Sequence, residues 1–315
     1  MVGVACGTAP TQAREPSGRW TFKQDTRPVK VVVLGGSITA YTFGSFTQFL
    51  QASCSRAEFV NRAKSKLGAT ALRDRFVAQV VRNRRVDPSD HEAMWLVYFG
   101  GLNSIGSPQK TNLRNAEILK AAHTHGLKTV ALSLAPWGSE KDRRWTWETG
   151  MKTLANTQLA VDFVMGRLSP DVALGRYAAL RESPDGWEPG ELADIAIDLF
   201  DSPLRHGDAA LRDEARVARR VRRSRAIRKA IKAMTPEAAD AMVGDRVEAV
   251  RAIPRFFMRP ENRGFDAIHP NAVGHRLVAQ IMCPSLPSEW GCDCAGLETM
   301  SYDRKRRRVV VADRP

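Results

Sequence analysis

The sequence predicts an α/β fold: a three-layer α/β/α sandwich on a parallel sheet of about five strands, with a largely helical basic insertion. Three observations lead there. Short runs rich in β-branched and aromatic residues alternate with helix-length stretches. Those runs are continuously apolar rather than alternating, as strands covered on both faces must be. The first of them, VKVVVLGG, stops at two glycines, a serine and a threonine, where a buried strand would hand over to a turn.

In chain order, VKVVVLGG opens the sheet and a helix is expected over 42–52. EFVNRA (58–63) is the second strand and 69–83 the second helix. MWLVYFGG (94–101) is the third strand, and 112–126 is a helix closed by Gly126 in a C-cap position. KTVALSLAP (128–136) is the fourth strand. The alternation puts helices on both faces of a parallel sheet, where ligands bind at the carboxyl ends of the strands. Residues 140–250 break the rhythm with long helical, charged segments, and it resumes at 265–282. The chain therefore divides into an N-terminal extension (1–27), an α/β core (28–139 and 251–284), a helical insertion or cap (140–250) and a Cys-containing basic tail (285–315).

With 315 residues and 43% hydrophobic content the chain can bury a full core. No run approaches the roughly 18 apolar residues of a membrane span. The first residues lack the basic start and apolar core of a signal peptide. They read instead as the trimmed start of an exported chain, with Cys6 left from a lipid-attachment site; the cytoplasm is the alternative.

The net charge of +14 points to polyanions as partners. Much of the excess lies in 211–234. There Leu211, Val217, Val221, Ile227, Ile231 and Met234 fall near one helical face and ten Arg and Lys residues occupy the remainder. One reading is an amphipathic helix packed on the core with a solvated arginine face. The other is a surface for anionic lipid or acidic glycan. No aromatic residue interleaves with these arginines, so nucleic acid is not the expected partner. RKRRRVVV near the C-terminus is a further contact patch or a basic edge strand.

Ser37 follows a strand and two glycines and precedes a helix, which exposes its hydroxyl at the carboxyl edge of the sheet. A phosphate cradle is the competing reading, but GGSITA lacks both the third glycine of a dinucleotide fingerprint and the Lys-Ser/Thr of a P-loop. A serine that caps a helix is the other. FDAIHPNAVGH places Asp266 three residues before His269, and Pro270 fixes the backbone after it. On a short loop a carboxylate and an imidazole at that spacing meet, which is what a serine nucleophile needs from its base and the base from its orienting acceptor. In VYFGGLNSIG, Gly101 and Asn103 sit just past a strand end at the same edge. An asparagine amide there can donate to a developing oxyanion. Gly68 opens a helix after the second strand and offers a backbone N–H with no side chain in the way.

Together these segments resemble the SGNH hydrolases, the GDSL esterase and lipase superfamily. That family carries its serine in a GDS block, then a glycine, then an asparagine in GxN, then aspartate and histidine in DxxH. Here they read GGS (35–37), Gly68, GLN (101–103) and DAIHP (266–270), in the family's order. The resemblance implies a flavodoxin-like sandwich in which Ser37 is the nucleophile, His269 the general base and Asp266 its orienting partner. The N–H groups of Ser37 and Gly68 and the amide of Asn103 would form the oxyanion hole, with Gly36 and Gly101 supporting. It implies an ester hydrolase acting through an acyl-serine on a small molecule, lipid or glycan, with no cofactor and no metal. A glycan O-acyltransferase or a non-catalytic polyanion-binding module are the alternatives. Gly36 stands where the family has the aspartate of GDS, and Ser104 where an aspartate often follows the asparagine.

Of the five cysteines, Cys283, Cys292 and Cys294 lack a fourth ligand at zinc spacing. In a doubly wound sheet the helices ending near Cys54 and Cys283 finish on the same side, opposite the catalytic edge. Cys54 is therefore expected to bridge to Cys283 or to the 292/294 pair.

Overall fold

The computed structural model describes residues 27–83, 86–181 and 186–311; the expectations for Cys6 and for 1–26 lie outside them. The chain runs β1 (Val29–Gly35), α1 (Phe46–Ser53), β2 (Ala57–Asn61), α2 (Ala69–Phe76), β3 (Ala93–Phe99), α3 (Pro108–Thr124) and β4 (Lys128–Leu132). It continues through α4 (Trp147–Val164), α5 (Pro170–Leu174) and β5 (Ile195–Ile197). The five strands are parallel, in the order β2-β1-β3-β4-β5. The order reverses between β1 and β3, so the crevice that opens at a topological switch point lies beyond Gly35 and Phe99.

β1 is buried along its whole length, and its alternating side chains feed two cores. Val29, Val31 and Val33 pack with Phe46, Phe49, Leu50, Val278 and Met282 on one face. Val32 and Leu34 pack with Leu72, Phe76 and Ile118 on the other. Helices on both faces explain why the strand carries no polar alternation. Helix starts follow local chemistry. Ser45 caps α1 in a capping box with Gln48, and Pro108 at the first turn starts α3 four residues before the sequence pattern does.

β5 lies inside the stretch expected to be an insertion. Only three residues long and bounded by Asp194 and Asp198, it carries no apolar run to betray it. Asp194 itself ties the sheet edge together, accepting from Thr129 N at 2.6 Å. Beyond it come α6 (Glu214–Arg223), α7 (Arg225–Ala230) and α8 (Pro236–Arg251), followed by α9 (Ala272–Met282), which packs against α1.

The single helix expected over 211–234 is in fact two. Ser224 adopts an extended ψ of 131° and its hydroxyl accepts from Ile227 N, capping α7 instead of continuing α6. The expected apolar face is correspondingly shorter. Val217, Val221 and Ile227 are buried with Val243 and Val250, whereas Leu211 and Met234 are 53% and 40% exposed.

The tail folds back onto the core. Cys54 bridges to Cys292 and Cys283 to Cys294, so of the expected partners Cys54 takes Cys292. Between the bridges Trp290 is fully buried, its ring edge-on to Phe59 and Trp95. The chain closes with an antiparallel hairpin of β6 (Met300–Asp303) and β7 (Arg308–Val311). Among the described residues no helix is long and apolar enough to cross a membrane.

Candidate active site

Ser37 is held where β1 meets the end of β3. A Cβ on Gly35 would stand 2.2 Å from Phe99 O and from Thr39 Oγ1, so only glycine lets the two strand ends come this close. A Cβ on Gly36 would meet nothing nearer than Asn103 Nδ2 at 3.5 Å, an ordinary contact. The two glycines are therefore not equivalent. Gly35→Ala is expected to lower stability by about 1–3 kcal/mol through overpacking, while Gly36→Ala stays within about 0.5 kcal/mol of wild type. Urea midpoints of the two variants check this directly.

The turn after Ser37 is clamped from both neighbouring strands. Thr39 Oγ1 donates to Phe99 O at 3.1 Å, and Asn61 Nδ2, at the end of β2, donates to Thr39 O at 2.7 Å. Sequence reasoning gave Asn61 no such role. Its only signal was a polar residue ending an apolar strand.

The loop carrying Asp266 and His269 is folded on itself. Gly264 N donates to His269 O at 2.6 Å, and Ala267 is forced to a φ of +56°. Gly138 N donates to Ala267 O at 2.8 Å and anchors the loop to the segment that follows β4. Asp266 Oδ1 accepts from Ile268 N and His269 N, each at 3.0 Å, which leaves Oδ2 for His269 Nδ1 at 2.5 Å. His269 Nε2 lies 2.7 Å from Ser37 Oγ across 232 residues of chain. Partial burial pushes the Asp266 carboxyl up, but the backbone and imidazole donors outweigh it and hold the group below its ordinary range. With the carboxylate accepting at Nδ1, the network assigns the proton to that nitrogen and leaves Nε2 as the acceptor for the Ser37 hydroxyl. That is the geometry of an activated nucleophile.

Gly101 takes a φ of +98° and turns the chain out of β3 into the short 3₁₀ turn Leu102–Ser104. The turn brings Asn103 beside the residue preceding Ser37. Asn103 Nδ2 donates to Leu67 O at 3.1 Å, and this bond orients the amide while leaving its second N–H. Gly68, next in the chain, is the N-cap of α2. Ser104 stitches the two segments together, its hydroxyl accepting from Ala69 N and donating to Gly101 O, both at 3.1 Å. A cleft of about 370 Å³ opens beside Asn103, lined in part by Ala69, Ser107, Lys110 and Thr111. Among the described residues no cluster of His, Cys, Asp and Glu is arranged to hold a metal ion.

On α9, His275 is fully buried, stacked on Tyr41 and accepting from Phe46 N at 3.4 Å. Burial, and secondarily the nearby His269, push its pKa down to about 3. An unfolded histidine protonates near 6.5, so between about 6.5 and 3 the unfolded chain binds a proton that the folded one refuses. Stability therefore falls as pH drops through that window, by roughly 1.4 kcal/mol per pH unit from this group. His275→Asn keeps an acceptor for Phe46 N; it is expected to be less stable at pH 7 but to lose the acid-side slope in urea titrations from pH 7 to 4.

No protein-family model and no curated protein sequence matches the chain. Solved structures with a similar chain path include a GDSL-like lipase from Bacteroides thetaiotaomicron VPI-5482, at 13% identity, 81% of this chain and 86% of that one, with a TM-score of 0.44. A lipase/acylhydrolase from Enterococcus faecalis aligns at 13% identity over 84% of this chain and 97% of its own, with a TM-score of 0.42. An acetylxylan esterase from Geobacillus stearothermophilus aligns at 12% identity over 83% and 95%, with a TM-score of 0.39. The chemistry of this site rests on the side chains described above.

Proposed function

We propose that the protein is a serine ester hydrolase of the SGNH type. The observation that carries this reading is the continuous chain Ser37 Oγ, His269 and Asp266, at 2.7 and 2.5 Å, beyond the carboxyl end of β1. Ser37 Oγ attacks the ester carbonyl and its proton passes to His269 Nε2. The carbonyl oxygen, now an oxyanion, is held by the N–H groups of Ser37 and Gly68 and by the free amide N–H of Asn103. Collapse expels the alcohol, which takes the proton from His269, and leaves an acyl-serine. Water then attacks the acyl group, giving its proton to His269; the acid departs and Ser37 recovers its hydrogen. Asp266 stabilises the imidazolium in both halves.

Two aromatic side chains support an apolar acyl or alcohol portion. Phe265 is fully exposed immediately before Asp266, and Phe43, six residues beyond Ser37, is 51% exposed. Two disulfides suit an oxidising, exported setting. A panel of p-nitrophenyl esters from acetyl to octanoyl, with an O-acetylated glycan beside it, tests the activity. Turnover well above that of Ser37→Ala is expected for at least one acyl length. Turnover equal to that variant across the panel would contradict the reading.

A further inference from the structure

The helical insertion contains a buried cation that forms no ion pair among the described residues. Arg212, just before α6, is 6% exposed. Its Nη2 donates to Trp145 O at 2.6 Å, and its Nε is buried with no hydrogen-bond partner. Among the described residues no carboxylate lies within ion-pairing distance of it. A buried guanidinium without a counter-charge costs free energy, and native proteins rarely leave one so. Desolvation pushes its pKa down against the opposing pull of the more distant Glu140, which agrees with a charge held in poor solvent.

This guanidinium lines a pocket of about 220 Å³ together with Arg216, Arg255, Trp147, Glu140 and Asp213. The two acids are already engaged: Glu140 pairs with Arg255 at 2.7 Å, and Asp213 caps α6 through Arg216 N. Among the described residues neither Arg212 nor Arg216 has a carboxylate within ion-pairing distance, and the pocket carries three guanidinium groups against two carboxylates. Trp147 forms the wall, in a strained backbone conformation for a non-glycine residue (φ +46°), with Arg216 and Arg220 5.9 and 5.7 Å from its ring centre. The pocket also connects to the catalytic edge. Glu140 N donates to Arg255 O, Ser139 bridges to Phe256, and Gly138 holds the Asp266–His269 loop through Ala267.

We propose that this pocket is an anion-binding site, in which Arg212 and Arg216 take an oxyanion group of a ligand, such as a carboxylate, sulfate or phosphate. The planar arginine fork presents paired donors to two oxygens of such a group. The anion supplies the charge Arg212 lacks, and the shared segment 138–140 makes the pocket a recognition point on the same wall that supports the triad loop. The site stands whether or not Ser37 is a nucleophile.

Thermal unfolding of the full chain, titrated with sodium acetate, sulfate or phosphate at constant ionic strength, tests it. Wild type and Ser37→Ala are both expected to show a saturable rise in Tm with at least one of the three, and the responding anion identifies the ligand chemistry. Arg212→Met, which replaces a buried unpaired charge by an apolar chain of similar length, should abolish the saturable component. Arg216→Gln, a surface change with little risk to folding, should weaken binding by about tenfold or more, the worth of one charged hydrogen bond. Arg222→Gln, on α6 but outside the pocket, should leave binding unchanged. No saturable rise with any anion would overturn the proposal, as would equal responses from wild type and Arg216→Gln. Equal weakening by Arg222→Gln would overturn it too, since that is the mark of diffuse attraction to the basic helix.

Discussion

Ser37→Ala is expected to lower kcat for ester hydrolysis by on the order of 10⁴- to 10⁶-fold, the range that loss of a triad serine produces elsewhere. The substitution removes one hydroxyl whose partner is His269 Nε2, at 2.7 Å. Ser37 is half-buried at the strand end, and its turn is held by Thr39 and Asn61 rather than by its own side chain. The variant should therefore unfold at the wild-type urea concentration. That pairing of lost turnover with kept stability separates a chemical role from a structural one. A fall of only a few-fold, or a matching fall in stability, would mean that the hydroxyl merely packs.

Asp266→Asn is expected to cost about 10⁴-fold in kcat while costing far less stability than Asp266→Ala. The two carboxylate oxygens have separate tasks. Oδ1 accepts from the N–H groups of Ile268 and His269, and Oδ2 accepts from His269 Nδ1. The asparagine carbonyl can take over the first task, so the loop keeps its form. Its NH₂ then faces Nδ1 and makes that nitrogen an acceptor, which moves the ring proton to Nε2 and leaves no base for Ser37. Alanine instead leaves two backbone donors unpaired and loosens the loop. Steady-state kinetics and urea unfolding of both variants measure the split; equal stability losses would show that the carboxylate charge, not its acceptor geometry, holds the loop.

The residues of the candidate site were legible because most sit in a locally unusual pattern. Apolar strands ending in GGS or GGLN, and a DxxH followed by proline, are short signals that need no knowledge of distant contacts. Their convergence was less visible. Ser37 and His269 are 232 positions apart, and only the 2-1-3-4-5 strand order brings their loops to one crevice. The apolar runs mark the first four strands but not their order, and they miss β5, whose Ile195–Ile197 is apolar but too short to stand out from the surrounding polar chain. The bonds made by Ser104 and Asn61 were not legible, because polar residues after strands are common in any turn. What they do depends on the partners Ala69, Gly101 and Thr39, which no spacing reveals. The basic segment 211–234 misled in a different way. Its helical period continues across Ser224, but the hydroxyl offers the backbone a cap, and a local hydrogen bond overrides the periodicity.

Reaction of the folded protein with a fluorophosphonate, with the adduct mapped by mass spectrometry, addresses the nucleophile itself without any assumption about substrate. One adduct on Ser37 is expected, absent from Ser37→Ala and formed far more slowly in His269→Ala, because phosphonylation needs the same base as acyl transfer. No adduct on folded wild-type protein, or an adduct on another serine that persists in Ser37→Ala, would contradict a Ser37–His269–Asp266 catalytic triad.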